Sequence, residues 1–266
     1  MNADTSPLNW QWSDGFRRTI CGFNVARDCL GGLALLLCIP PAVVVHLSGV
    51  ILTPTFTSTH SGTALFLEVL AELFLCIGAV VFLFLLLVAD PGFTEAPTDL
   101  SCRCKKCGVE VEGFDHHCGA VGACVGKSNM CYFILFLMFA ALLCALVGLQ
   151  NIIFVATAIR AYRHEAGSSW TSLAALKKAA LAVLSSSRTL VLIVLSGAAV
   201  TGGVYCTFLW LRYIYLAHMG LDSVRGRRRL GTRGSLSAVF SYTLHPKLSH
   251  NNFIFRRQYD LLDVSS

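Results

Sequence analysis

Four long apolar runs constrain this chain more than any other feature of its sequence. They are Leu30–Leu52, Ala64–Ala89, Phe133–Val155 and Leu190–Leu216. A bilayer span needs about 20 predominantly apolar residues, so each run is long enough to cross once. Only 14% of the 266 residues are charged, whereas a soluble domain carries about 25%. The sequence therefore predicts an α-helical polytopic membrane protein with four transmembrane helices.

A few polar or helix-disturbing residues lie within these spans. Pro40-Pro41 predicts a kink in the first span, which membrane helices tolerate. We expect His46 near an interface, and Glu68 and Glu72 at the lumenal headgroup level. For the two acidic residues, a functional pair inside the membrane is the alternative.

Basic residues near the spans predict which side each loop faces. The tail after Leu216 has eight Lys and Arg, the N-terminal segment three and the central loop four, while the first loop has none. Since cytoplasmic loops are rich in these residues, we expect the tail, the N-terminal segment and the central loop in the cytosol. Five basic residues in the loop between spans three and four, which would then be lumenal, oppose this assignment. The predicted organisation is a cytosolic N-terminal segment (1–29), helices 1 and 2 (30–89), a cytosolic cysteine-rich domain (90–132), helices 3 and 4 with a lumenal loop (133–216), and a cytosolic basic tail (217–266).

Six of the twelve cysteines cluster between Cys102 and Cys131, in the central loop. Thiols in the reducing cytosol bind metals or perform chemistry rather than form disulfides. Zinc takes four Cys or His ligands in a tetrahedron, often from a pair separated by two residues. The predicted ligands are Cys104, Cys107, His117 and Cys124. A short polar loop buries too little apolar area to offset its chain entropy without a metal; the alternative is an unstructured loop with scattered thiols.

Asp115-His116-His117-Cys118 places reactive groups beside one of these ligands. A thiol reacts as its thiolate. An imidazole can accept the thiol proton, and a carboxylate on the other ring nitrogen fixes its tautomer. We therefore predict Cys118 as nucleophile, His116 as base and Asp115 as the orienting group. The alternative makes Cys118 a further zinc ligand and His116 a bystander.

The motif extends on both sides of these four residues. It continues through Cys124-Val125-Gly126, Asn129 and Phe133, and Asp90-Pro91-Gly92 precedes it. In these residues the chain resembles the DHHC protein S-acyltransferases, or palmitoyltransferases. The resemblance implies four spans and a small cytosolic zinc-binding cysteine-rich module between helices 2 and 3.

The chain departs from this family at three places. The family's module holds two zinc ions, but Arg103 and Glu110 stand where a His and a Cys of the second site belong, and its earlier cysteine pair is missing. We therefore predict one zinc ion. Gly119-Ala120 replaces the family's Pro-Trp, and Asp222–Arg225 replaces its Thr-Thr-x-Glu.

The resemblance implies a two-step acyl transfer. Cys118 would take a long-chain acyl group from acyl-CoA and pass it to a cysteine of a target protein, with His116 as base and Asp115 orienting it. The implied partners are long-chain acyl-CoA, cysteine-containing membrane-associated proteins and the bilayer, and no nucleic acid. The implied location is the endomembrane system, with the Golgi or endoplasmic reticulum ahead of the plasma membrane. The residues that bind CoA are not predicted.

Two other functions compete with this interpretation. The departures from the family favour a catalytically impaired membrane adaptor in which zinc only shapes a binding surface. A membrane thiol oxidoreductase would need a resolving cysteine near Cys118, which only Cys104 or Cys107 freed from zinc supplies.

Overall fold

Four long helices dominate the described part of the chain. The computed structural model describes residues 17–20, 23–26, 29–53, 57, 60–94, 101–108, 110–165 and 187–219. The helices are α1 (Leu30–His46), α2 (Gly62–Val88), α3 (Met130–Glu165) and α4 (Ser187–Met219). Each lies on one of the predicted spans and is long and apolar enough, by length and composition, to cross a membrane. The predicted four-helix membrane fold is confirmed.

The helices extend further than the apolar runs at several ends. α1 includes Pro40-Pro41 and continues into a π-helical turn, Leu47–Ile51, where the Leu52 N–H donates to the Leu47 carbonyl at 2.9 Å. α3 and α4 begin before and end after their predicted spans. Helical hydrogen bonds are made within one segment, so a helix can continue beyond the apolar residues that define a span.

Among the residues that the structure describes, seven short strands form three sheets. The strands are β1 (Arg17–Ile20), β2 (Phe23–Ala26), β3 (Phe93–Thr94), β4 (Ser101–Arg103), β5 (Glu110–Glu112), β6 (His116–Cys118) and β7 (Ala123–Val125). All pairs are antiparallel: β1 with β2, β5 between β3 and β4, and β6 with β7. The last five strands lie between α2 and α3, where the cysteine-rich module was predicted.

The chain divides into two compact units. The first combines described residues from 1–37, 80–136 and 210–266, and the second combines 38–79 and 137–209. The strands between α2 and α3 therefore share a unit with the start of α1, the end of α2, the start of α3 and the end of α4. This first unit contains all the residues of the predicted site.

The second unit buries a polar pair. His46 Nδ1 lies 2.8 Å from Glu72 Oε1, and the two side chains are only 3% and 0% exposed. One turn earlier on α2, Glu68 accepts a 3.5 Å hydrogen bond from Gln150. The structure encloses both side chains within protein, so each depends on the other for its polar contact. The expected place of both residues near an interface stays a prediction.

Candidate functional site

The β6–β7 hairpin separates two sets of side chains. Side chains alternate between the two faces of a strand, so His117 points to one face while His116 and Cys118 point to the other. The register places His117 directly opposite Cys124 on β7. Two predicted zinc ligands therefore meet on one face, and two predicted catalytic residues share the other.

The four predicted metal ligands come together on the His117 face. Their ligand atoms all lie within 4.8 Å of one another. His117 Nδ1 is 3.8, 3.3 and 3.7 Å from the sulfurs of Cys104, Cys107 and Cys124, and the sulfurs of Cys107 and Cys124 are 3.5 Å apart. Tetrahedral zinc bonds of about 2.3 Å to sulfur and about 2.1 Å to nitrogen give edges of about 3.8 and 3.6 Å. The donor set therefore fits one zinc ion, and Cys118 is not part of it.

A small core and a buried amide hold this ligand set in place. Val111 of β5 is fully buried against Cys104 and Cys124. Asn129, also fully buried, donates from Nδ2 to the Cys124 carbonyl and accepts from the Gly126 N–H, both at 2.9 Å. The amide thereby fixes the backbone that leaves β7, and with it the ligand Cys124.

The Asp90-Pro91-Gly92 segment joins the end of α2 to this backbone. Asp90 Oδ1 accepts from the Gly92 N–H at 2.8 Å, which makes a tight turn. The Gly92 and Pro91 carbonyls then accept from the N–H groups of Glu112 and Ser128. This motif therefore attaches the helix to β5 and to the turn that precedes α3.

Asp115, His116 and Cys118 form a connected set on the opposite face. His116 Nδ1 donates to Asp115 Oδ2 at 2.7 Å. His116 is also hydrogen-bonded to Cys118, and Nε2 is the ring nitrogen left for the sulfur. The Asp115 side chain is 5% exposed and that of His116 36% exposed, so the carboxylate is enclosed while the imidazole edge reaches outward.

These contacts shift the pKa values of both reactive groups. Burial alone would lower the pKa of His116, but hydrogen bonds to Asp115 and Cys118 and attraction to their charges raise it to about 9. Burial alone would raise the pKa of Cys118, but the hydrogen bond and charge of His116 and the backbone N–H groups of Val121 and Ala120 lower it. The arrangement therefore favours a thiolate beside an imidazolium, which is the state of an activated cysteine nucleophile.

The turn that follows Cys118 packs against the start of α1. The Gly32 N–H donates to the Val121 carbonyl at 3.1 Å. A Cβ atom on Gly31 would lie 2.3 Å from the Ala120 carbonyl oxygen, and one on Gly32 would lie 2.7 Å from that of Val121. Only glycine permits this approach. The same turn carries the backbone N–H groups that face the Cys118 sulfur.

Arg103 and Glu110, which stand where the family has ligands of a second zinc ion, make polar contacts in this chain. Arg103 and Glu110 are register partners across β4 and β5. Arg103 Nε donates to the Gly108 carbonyl at 3.1 Å, and Glu110 accepts from the Ser101 hydroxyl at 2.9 Å. Within the described residues, the group around His117 is the one set of ligands placed to hold a metal. The single zinc ion stays a prediction.

Two contributors to the site were not predicted from the sequence. Tyr213 of α4 donates its hydroxyl to Asp115 Oδ2 at 2.5 Å, and Gly31-Gly32 of α1 contacts the turn after Cys118. Both are more than 80 residues from their partners in the chain, and no local pattern signals them. Asp222–Arg225 and the rest of the predicted basic tail from residue 220 onward lie outside the described residues.

Comparisons with known proteins find similar sequences in one family. Residues 98–225 match the sequence model of the DHHC palmitoyltransferase family. Human palmitoyltransferase ZDHHC9 is 51% identical over 54 residues, which is 20% of this chain and 15% of that protein. Palmitoyltransferase ZDHHC15 of Xenopus laevis is 47% identical over 46 residues (17% and 14%), and protein S-acyltransferase 8 of Arabidopsis thaliana 38% identical over 53 (20% and 13%). These matches thus span about one seventh of the relatives' lengths. The resemblance to the DHHC palmitoyltransferase family is therefore confirmed over residues 98–225.

Proposed function

We propose that the chain is a protein S-acyltransferase that carries a long-chain acyl group on Cys118. The observation that supports this most directly is the separation of the two hairpin faces. His117 faces the metal ligands, while Cys118 faces His116 and Asp115. A cysteine that shared the zinc site would have its sulfur lone pairs engaged, whereas this one is left available to react.

In the first step, the Cys118 thiolate attacks the thioester carbonyl of an acyl-CoA. A bond forms between the Cys118 sulfur and the acyl carbon, the bond from that carbon to the CoA sulfur breaks, and the CoA thiolate takes a proton from His116. Asp115 holds the imidazole through Nδ1, so that Nε2 faces the sulfur.

In the second step, the thiol of a target protein gives its proton to His116 and attacks the acyl carbon. The bond from that carbon to the Cys118 sulfur breaks, and the thiolate beside an imidazolium is restored. Zinc bound by Cys104, Cys107, His117 and Cys124 would cross-link the module and hold β6 in place. No step passes through the metal.

The apolar surroundings fit a fatty acyl donor. The module is continuous with helices that are long and apolar enough to cross a bilayer. Burial of an acyl chain gains about 0.8 kcal/mol per methylene, so a thiol at the ends of such helices can draw its donor from the lipid phase. We further propose that the module faces the cytosol of an endomembrane, because the predicted loops on that side carry most of the basic residues.

The nucleophile assignment is tested by labelling with palmitoyl-CoA. We expect purified wild-type protein to acquire a thioester-linked acyl group that neutral hydroxylamine removes. Cys118→Ala should abolish the label, and Cys102→Ala, which removes a neighbouring thiol outside the metal group, should retain it. Equal labelling of wild type and Cys118→Ala would show that the assignment is wrong.

The adaptor alternative predicts a different result for the same preparation. Gly119-Ala120 in place of Pro-Trp favours it, because this turn follows the nucleophile directly. An impaired adaptor would retain zinc and yet acquire no label on Cys118 in wild type. Zinc content and labelling measured together therefore distinguish the two functions.

A further inference from the structure

Tyr213, near the end of α4, contacts the carboxylate that orients His116. Its hydroxyl donates to Asp115 Oδ2 at 2.5 Å, and the same oxygen accepts from His116 Nδ1 at 2.7 Å. Tyr213 is 5% exposed, as is the Asp115 side chain. The hydrogen bond is therefore enclosed in protein, where water competes little for either partner.

Tyr213 also supports His116 by a second route, through Phe133. The Phe133 ring is 1% exposed and lies between the other two rings. Its centroid is 5.3 Å from that of His116 at an interplanar angle of 67°, and 5.4 Å from that of Tyr213 at 90°. Both are edge-to-face contacts of the favourable kind. Tyr213 is thus linked to the imidazole by a hydrogen-bonded path and by a packed aromatic path.

We propose that Tyr213 is a positioning residue for the Asp115–His116 pair, supplied by the last helix. A carboxylate held by one hydrogen bond can still rotate about its own side-chain torsion. A second donor on Oδ2 fixes the oxygen, and the fixed oxygen sets the direction in which His116 Nε2 points. The group of the catalytic set that Tyr213 is seen to contact is the Asp115 carboxylate. It acts through Asp115, and its role in catalysis rests on the acyl transfer proposed above.

The variant Tyr213→Phe removes the hydroxyl and keeps the ring. We expect self-acylation at saturating palmitoyl-CoA to slow by about tenfold or more, because only the orientation of the base is lost. The palmitoyl-CoA concentration at half-maximal rate should change by less than about twofold, since donor binding is untouched. Tyr215→Phe is the matched control: it lies two residues along the same helix, is 53% exposed, and should label at the wild-type rate. Equal rates for Tyr213→Phe and wild type would overturn the proposal.

A double-mutant cycle with Asp115→Ala separates positioning from a general structural role. If Tyr213 acts through Asp115, then Tyr213→Phe should cause no further slowing in the Asp115→Ala background. An equal further loss would mean that the tyrosine works by another route, and the proposal would be wrong. Loss of bound zinc from Tyr213→Phe would also overturn it, because it would make the residue a structural support of the module.

Alkylation of Cys118 by iodoacetamide distinguishes failure of this inference from failure of the proposed function. The reaction needs an activated thiol but no acyl donor. If wild type does not self-acylate, the acyltransferase proposal fails, while slower alkylation in Tyr213→Phe than in Tyr215→Phe would still support the positioning role. Equal alkylation rates in the two variants would refute it.

Discussion

A single methyl group on Gly31 should slow the chemistry of Cys118. In the structure, the Cβ atom of Gly31→Ala would lie 2.3 Å from the Ala120 carbonyl oxygen and 3.1 Å from its carbonyl carbon. Both contacts are with backbone, so no side chain can rotate away to relieve them. The turn or the start of α1 must therefore move by about 1 Å to restore a normal contact.

The size of the effect follows from what this turn does. The backbone N–H groups of Ala120 and Val121 lower the pKa of Cys118 by facing its sulfur. A hydrogen bond to a charged group contributes about 1.5–3 kcal/mol, and about 1.4 kcal/mol corresponds to tenfold in rate. A shift of about 1 Å near reacting groups alone can cost about a hundredfold. We therefore expect Gly31→Ala to slow self-acylation by about ten- to hundredfold.

The assay compares single-turnover acylation from labelled palmitoyl-CoA in three proteins. Gly197→Ala is the matched control, because a Cβ atom there would meet nothing within 4 Å. It should behave as wild type, and all three proteins should keep their zinc. If Gly31→Ala acylates as fast as Gly197→Ala, the turn after Cys118 does not need the close approach of α1, and the reasoning is refuted.

Three further predictions follow from the charges and ligands. The pKa of Cys118 is lowered by His116, so alkylation of Cys118 should reach half its maximal rate at a pH below the value of about 8.5 typical of free thiols. His116→Ala should move that pH upward, and an unchanged pH of half-maximal rate would contradict the interaction between His116 and Cys118. Elemental analysis should find about one zinc per chain in wild type and near zero in Cys107→Ser, whereas an unchanged zinc content in that variant would contradict the ligand set. His46→Ala leaves the buried Glu72 carboxylate without its 2.8 Å partner and should lower the free energy of unfolding in detergent by about 1–3 kcal/mol. Val45→Ala, at an exposed neighbouring position, is the control. An equal free energy of unfolding in the two variants would show that the pair of His46 and Glu72 adds no stability.

The sequence predicts those parts of the site that depend on short spacings. Cys104 and Cys107 lie within one turn of chain, and Asp115, His116 and Cys118 within four residues, so the local backbone alone limits where their side chains can go. Apolar runs predict the helices for a similar reason, because every backbone group inside a bilayer needs a partner in its own segment.

The rest of the site depends on contacts between distant segments. Tyr213 is 98 residues from Asp115, and the pairing of His46 with Glu72 joins two helices. A tyrosine among apolar residues and a histidine near the end of a span each fit many environments, so their partners appear only once the helices are packed. The pairing of β6 with β7 also decides which face of β6 each histidine occupies. No pattern in the sequence signals that pairing.

The separation of metal and nucleophile is tested most directly by a mass measurement on intact protein after exposure to palmitoyl-CoA, under conditions that keep metals bound. We expect one zinc ion and one hydroxylamine-sensitive acyl group on the same chain, with the acyl group mapped to the peptide that contains Cys118. A chain that acquires no acyl group on Cys118 while zinc is bound, or that loses its zinc on acylation, would contradict the separation of metal and nucleophile on the two faces of the hairpin.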